Sequence, residues 1–151
     1  LEELYENYNE NYYATSKSVR SLSRPLNWDQ ILELSKSIFE IGSHSLTHPV
    51  FTSLTDKDLR HELVDSKNIL ESKLALNIDA IAYPVGTLIA FDERVKAATS
   101  DSEYKLGLTY VEGRNNPKNL DRFALKRIHV DRDLPKDTFI CKLAMPSIFN
   151  Q

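Results

Sequence analysis

A chain of 151 residues with 41% hydrophobic content can bury one core, so a single domain is the default count. Its formal net charge of -3 argues against a surface built to neutralise phosphates and sets nucleic acid aside as a partner. No run nears the roughly 18 apolar residues of a membrane span, LEELYENYNENYY does not read as a signal peptide, and Cys141 alone makes no internal disulfide.

Residues 1–26 hold four Tyr in the first thirteen positions but little period of either kind, and read as an irregular arm or loop. From Asn27 a helix is expected, with Gln30 completing a capping box and Ile31, Leu34 and Ile38 on one face. Phe39 to His44 then alternates as a strand would, ending in a loop stopped by Pro49. Thr55, with Asp58 three residues on, starts a second helix that runs to about Leu76, with Leu59, Leu63, Leu70 and Leu74 on one side.

Asp79 to Pro84 is a short apolar run suited to a buried parallel strand opening into a loop at Gly86. A helix over about Asp92 to Thr99 follows, then strands at Leu106 to Val111 and Phe123 to Val130, separated by Gly113, Asn115, Asn116 and Pro117. A closing helix fits Pro135 to Leu143. Strands alternating with helices give an α/β fold with a parallel sheet or partial barrel, whose functional loops leave the carboxyl ends of the strands. His44, His48 and Pro84 to Gly86 all fall there.

Two imidazoles four residues apart can hold one divalent ion, because a helix or tight loop brings them to the same side. An arbitrary HxxxH is more often a turn cap beside a solvated histidine. Here Gly42, Ser43, Ser45 and Pro49 make the surroundings a strand-exit loop, where binding residues concentrate.

Glu40-Ile41-Gly42-Ser43-His44-Ser45-Leu46-Thr47-His48-Pro49 resembles the HSxxH motif of the polysaccharide deacetylases, the NodB-homology domains of carbohydrate esterase family 4. The similarity continues through Leu54-Thr55, Asp65-Ser66-Lys67, Ala82-Tyr83-Pro84-Val85-Gly86, Phe91 to Val95 and Arg122 to Ile128, covering about residues 27 to 143. The resemblance implies a partial, distorted (β/α) barrel lacking its N-terminal strands, with residues 27–151 as the C-terminal part of the domain. It implies hydrolysis of N-acetyl groups on an N-acetylglucosamine-type polysaccharide, by a divalent metal ion, zinc by expectation, held by an aspartate and two histidines. His44 and His48 match those histidines, and Ser45 matches the residue that holds the loop by a hydrogen bond. An extracytoplasmic or cell-envelope location goes with the family.

Two departures stand beside the match. The family's adjacent aspartates, one a ligand and one the base, occur nowhere in the chain and would lie upstream of residue 1. The family's third motif often carries an arginine where Ala82 stands, although some relatives of poly-N-acetylglucosamine deacetylases share the AYPxG form. No late Leu-x-His motif supplies an acid; His129 is the one late histidine, expected on a strand face with Arg127 and Asp131.

Tyr83, Pro84 and Gly86 are expected to shape the sugar pocket rather than to do chemistry. His61 reads as solvated, Asp92 as a helix cap, Asp79 as a strand start and Trp28 as a packing staple. The alternative function is a catalytically inactive deacetylase-like domain that binds glycan or a partner protein. A barrel without its first strands leaves an open edge and apolar surface, so a homo-oligomer or contributing partner is expected.

Overall fold

The computed structural model describes residues 24–131 and 133–145, so the arm expected over residues 1–26 lies almost wholly outside the described residues. Helix α1 spans Trp28–Ser35. Its capping box forms as expected: Asn27 Oδ1 accepts the Gln30 N–H and Gln30 Oε1 accepts the Asn27 N–H, both at 2.9 Å. The helix stops short of Ile38, which is 96% exposed. Ser35 and Ser37 hydroxyls bond the carbonyls of Leu32 and Leu34, three residues back, in competition with the helical ladder. The packed residues of α1 are Ile31 and Leu32.

Helix α2, Asp56–Leu74, begins at Thr55, whose hydroxyl accepts the Asp58 N–H and donates to the Asp58 carboxylate. It ends where Ala75 takes a left-handed conformation at φ 53°. Leu59, Leu63 and Leu74 on its inner side are buried with Phe51, Ile78, Ile81, Tyr83, Val95 and Tyr104 in one core. That face also carries Glu62, Ser66 and Lys67, all buried.

Three parallel strands follow in spatial and chain order: β1 Ala80–Ala82, β2 Leu106–Glu112 and β3 Leu125–Arg127. Between β1 and β2 runs helix α3, Glu93–Asp101, capped by Asp92 Oδ1, which accepts the Val95 N–H. Helix α4, Lys136–Ala144, closes the described chain, and Lys142 on it reaches Glu112 Oε1 at 2.9 Å. This is the alternating α/β order expected, on a sheet that matches part of a (β/α) barrel.

Two expected strands are shorter than their patterns. The run Phe39 to His44 reduces to one parallel bridge, Ser43 to Ile81, through Ser43 N–H to Ala80 O and Ala82 N–H to Ser43 O, each 2.9 Å. It lies at the sheet edge with Phe39 and Ile38 exposed, so little burial holds the earlier residues in line. The run Phe123 to Val130 pairs over only three residues. On the outer side of β3 the Asn115 amide accepts the Lys126 N–H and donates to the Lys126 carbonyl, taking the place of a neighbouring strand.

Alternation divides the sheet. Ile81 and Tyr83 turn into the core, whereas Ala80, Ala82, Leu106, Leu108 and Leu125 line an open groove of about 440 Å³ that also reaches His44. Gly107 lets the Tyr83 ring cross β2, since a Cβ there would overlap the Tyr83 hydroxyl.

Candidate metal and polysaccharide site

The bridge at Ser43 delivers His44 to the carboxyl edge of β1. His44 Nδ1 lies 2.7 Å from the Ala82 carbonyl oxygen, an atom that only accepts, so Nδ1 carries the proton and Nε2 keeps its lone pair. A backbone carbonyl on the far nitrogen is the usual device for orienting a metal-binding imidazole. His48 meets His44 edge-on, with ring centroids 4.8 Å apart at 73°, and both side chains belong to exposed residues. The pair is thus brought together. Among the described residues no third His, Cys, Asp or Glu joins it.

The loop between them is held in an uncommon shape. Ser45 and His48 have φ of 70° and 63°, a region that L-residues enter only when their surroundings impose it. Ser45 Oγ accepts the His48 N–H at 2.9 Å, bridging the loop from within. Glu62 on α2 holds it from outside: Oε2 accepts the N–H groups of Leu46 at 2.8 Å and Thr47 at 2.9 Å, and Oε1 accepts the Thr47 hydroxyl. Burial pushes the Glu62 carboxyl up, but the donors of Thr47 and Leu46 outweigh it and hold the group below the ordinary carboxylate value.

A second tie runs beneath. Ser43 Oγ donates to Ser66 Oγ at 2.9 Å, Ser66 also bonds the Glu62 carbonyl, and the Tyr104 hydroxyl donates to the Leu63 carbonyl. Past His48, the Thr52 hydroxyl donates to the Ile89 carbonyl at 2.8 Å, and Arg94 reaches Asp56 Oδ1 and the carbonyls of Phe51 and Thr52. These contacts stitch the histidine loop to the loop that follows β1.

In that second loop Tyr83 and Pro84 are buried, so they shape it from below and present no side chain to solvent. Tyr83 stacks on Phe91 at 5.5 Å, meets Phe51 edge-on, and donates its hydroxyl to the Phe123 carbonyl; burial pushes its phenol up to about 12. Gly86 is also buried, at φ 61°, where a Cβ would stand 2.7 Å from the Tyr110 nitrogen. Its carbonyl accepts the Tyr110 N–H at 2.7 Å. Val85, exposed, has φ 62°, with the Gly86 N–H turned to the Pro84 carbonyl as in a γ-turn. Ala82 contributes its carbonyl alone.

His129 lies past the end of β3, not on it. Its Nε2 stands 2.6 Å from Asp131 Oδ1 and its Nδ1 2.7 Å from the Tyr110 hydroxyl. His61 is solvated and paired with Asp65 at 2.7 Å. Glu62, Ser66 and Arg94 carry the architecture of the site; sequence reading placed Ser66 and Arg94 in matching segments without a role and missed Glu62. The available signal was a carboxylate and a serine at i and i+4 on the apolar side of α2, between Leu59 and Leu70.

The family model described as polysaccharide deacetylase matches residues 5–110. Among solved structures, the deacetylase PplD of Streptococcus pyogenes, solved in complex with acetate, is 25% identical with a TM-score of 0.71, over 78% of this chain and 50% of that one. A polysaccharide deacetylase from Bacillus cereus is 25% identical with a TM-score of 0.67, over 81% of this chain and 38% of that one. The chain therefore spans half or less of the length of these two proteins. No curated protein matches it significantly.

Proposed function

The chain belongs to the polysaccharide deacetylase family, and from that premise we propose that it supplies the two-histidine part of a metal-dependent site that removes N-acetyl groups from an N-acetylglucosamine-type polysaccharide. The observation that carries this is His44, whose Nδ1 proton is spent on the Ala82 carbonyl while its edge meets His48. The two imidazoles fit as two nitrogen ligands of a zinc-type ion. When bound, such an ion polarises the amide carbonyl and lowers the pKa of water. The chain's own part is to orient both rings: Ser45 and Glu62 fix the loop, and Gly86 brings backbone close to the same edge of the sheet.

Zinc sites use three or four protein ligands, and among the described residues the pair has no third. The second reading is a deacetylase-like domain that binds glycan or a protein partner without turnover. An extracytoplasmic or cell-envelope location, implied by the family resemblance, is proposed with this reading.

One experiment separates the readings. Zinc content and affinity are measured for the chain and for His44→Ala and His48→Ala, with acetate release from chitooligosaccharide followed on the same samples. Stoichiometric zinc lost in both variants, together with acetate release, supports the hydrolase. Zinc bound equally by all three proteins rules the histidines out. Glycan binding without acetate release selects the second reading.

A further inference from the structure

Beyond the histidine pair, the carboxyl edge of the sheet carries an aromatic ring that is both exposed and immobilised. Tyr110, on β2, is 51% exposed. The Tyr110 hydroxyl stands 2.7 Å from Nδ1 and 3.4 Å from Nε2 of His129, so it lies against the face of the imidazole, whose Nε2 is in turn 2.6 Å from Asp131 Oδ1. The His129 ring meets Tyr110 edge-on at 5.2 Å, and the Arg127 guanidinium lies 5.5 Å from the centroid of the tyrosine ring.

The surface around this ring has two characters. On one side Leu88, 74% exposed, and Ile89, 82% exposed, join Tyr110 and Val111 along an apolar hollow of about 440 Å³. On the other, Tyr110 borders a hollow of about 430 Å³ where Glu112, Arg127 and His129 stand among Ile128 and Val130. Leu88 and Ile89 are too large and too exposed to be explained by the core. A pyranose ring has the complementary make-up: C–H faces that pack on an aromatic plane or aliphatic side chains, and hydroxyls around its rim that seek donors and acceptors.

Position ties this surface to the histidines. Leu108 pairs with Ala82, the residue whose carbonyl holds His44, and Tyr110 is two residues further along β2. Tyr110 also donates its N–H to Gly86. Ser43, β1 and β2 lie side by side, so Tyr110 stands about 10 Å, two strand spacings, across the sheet edge from the histidine strand. A polymer lying on this edge would therefore reach both.

We propose that Tyr110, packed edge-on against His129 and flanked by Leu88 and Ile89, forms a subsite for a neighbouring sugar ring of the polysaccharide whose N-acetyl group sits at the histidines. The subsite rests on the polysaccharide reading given above. Because the ring is held before the sugar arrives, little side-chain freedom is lost on binding. In this role His129 is a positioning residue, acting through Tyr110.

The test compares affinity for chitotriose with that for N-acetylglucosamine on the full chain, by calorimetry, with Tyr110→Ala, Tyr110→Trp and His129→Ala. Tyr110→Ala is expected to weaken chitotriose about tenfold with the monomer unchanged. Tyr110→Trp keeps a stacking face and is expected to retain affinity, and His129→Ala to lose a smaller part of it. Chitotriose binding unchanged in Tyr110→Ala, or monomer and trimer weakened alike, overturns the subsite and leaves the deacetylase reading standing. A wild-type chain that binds neither sugar overturns both.

Discussion

Glu62 accepts both the backbone N–H and the hydroxyl of Thr47, on Oε2 at 2.9 Å and on Oε1, and so a helix side chain holds the loop on which both histidines sit. Glu62→Ala leaves the Leu46 and Thr47 N–H groups and the Thr47 hydroxyl without their acceptor. The expected loss is roughly 1–3 kcal/mol of stability by urea denaturation. Zinc affinity is expected to fall about tenfold or more, as when an outer partner of a ligand is removed. Unchanged values for both would mean that the loop holds itself.

The same carboxylate sets a pH dependence. Its folded pKa lies below its ordinary value of 4.5, so its contribution is fully present above that value and is lost as pH falls from there through the lower folded pKa. Urea midpoints measured between pH 7 and pH 3 should decline on the acid side for the native chain. Glu62→Gln should flatten part of that decline; parallel curves for the two proteins would refute the assignment.

Val85 and Gly86 make opposite predictions one residue apart. Val85 is β-branched at φ 62°, so Val85→Gly relieves strain and is expected to raise stability by about 1 kcal/mol. Gly86→Ala adds a Cβ 2.7 Å from the Tyr110 nitrogen at φ 61° and is expected to cost about 2 kcal/mol or more. Thermal melts of the two variants check the pair. A Val85→Gly chain less stable than the parent would show that the left-handed backbone carries no strain.

Tyr83→Phe removes only the hydroxyl that donates to the Phe123 carbonyl, while its ring still packs on Phe51 and Phe91. The expected loss is about 1 kcal/mol, against about 3–5 kcal/mol for Tyr83→Ala, which empties the core under the loop. Equal losses in the two would place the stabilising effect in the hydroxyl rather than in the ring.

By itself the sequence determined what depends on neighbours along the chain. Asn27 and Gln30 cap α1, Thr55 and Asp58 start α2, Asp92 caps α3, and the leucines of α2 turn inward, because caps and helix faces are set by residues three or four apart. The spacing and setting of His44 and His48, with the AYPVG run after them, were enough to expect a polysaccharide deacetylase. Only the tertiary structure decided which distant groups meet. His44 rests on Ala82, 38 residues away, since an edge segment pairs beside β1 through one bridge, and the alternation of that segment does not say which strand it will join. Glu62 reaches across 15 residues to Thr47, and Tyr110 across 19 to His129. A single sequence does not register these pairings, because they follow from how strands and helices stack, and a charged or aromatic residue reads the same whether that stacking buries it, bonds it or leaves it open.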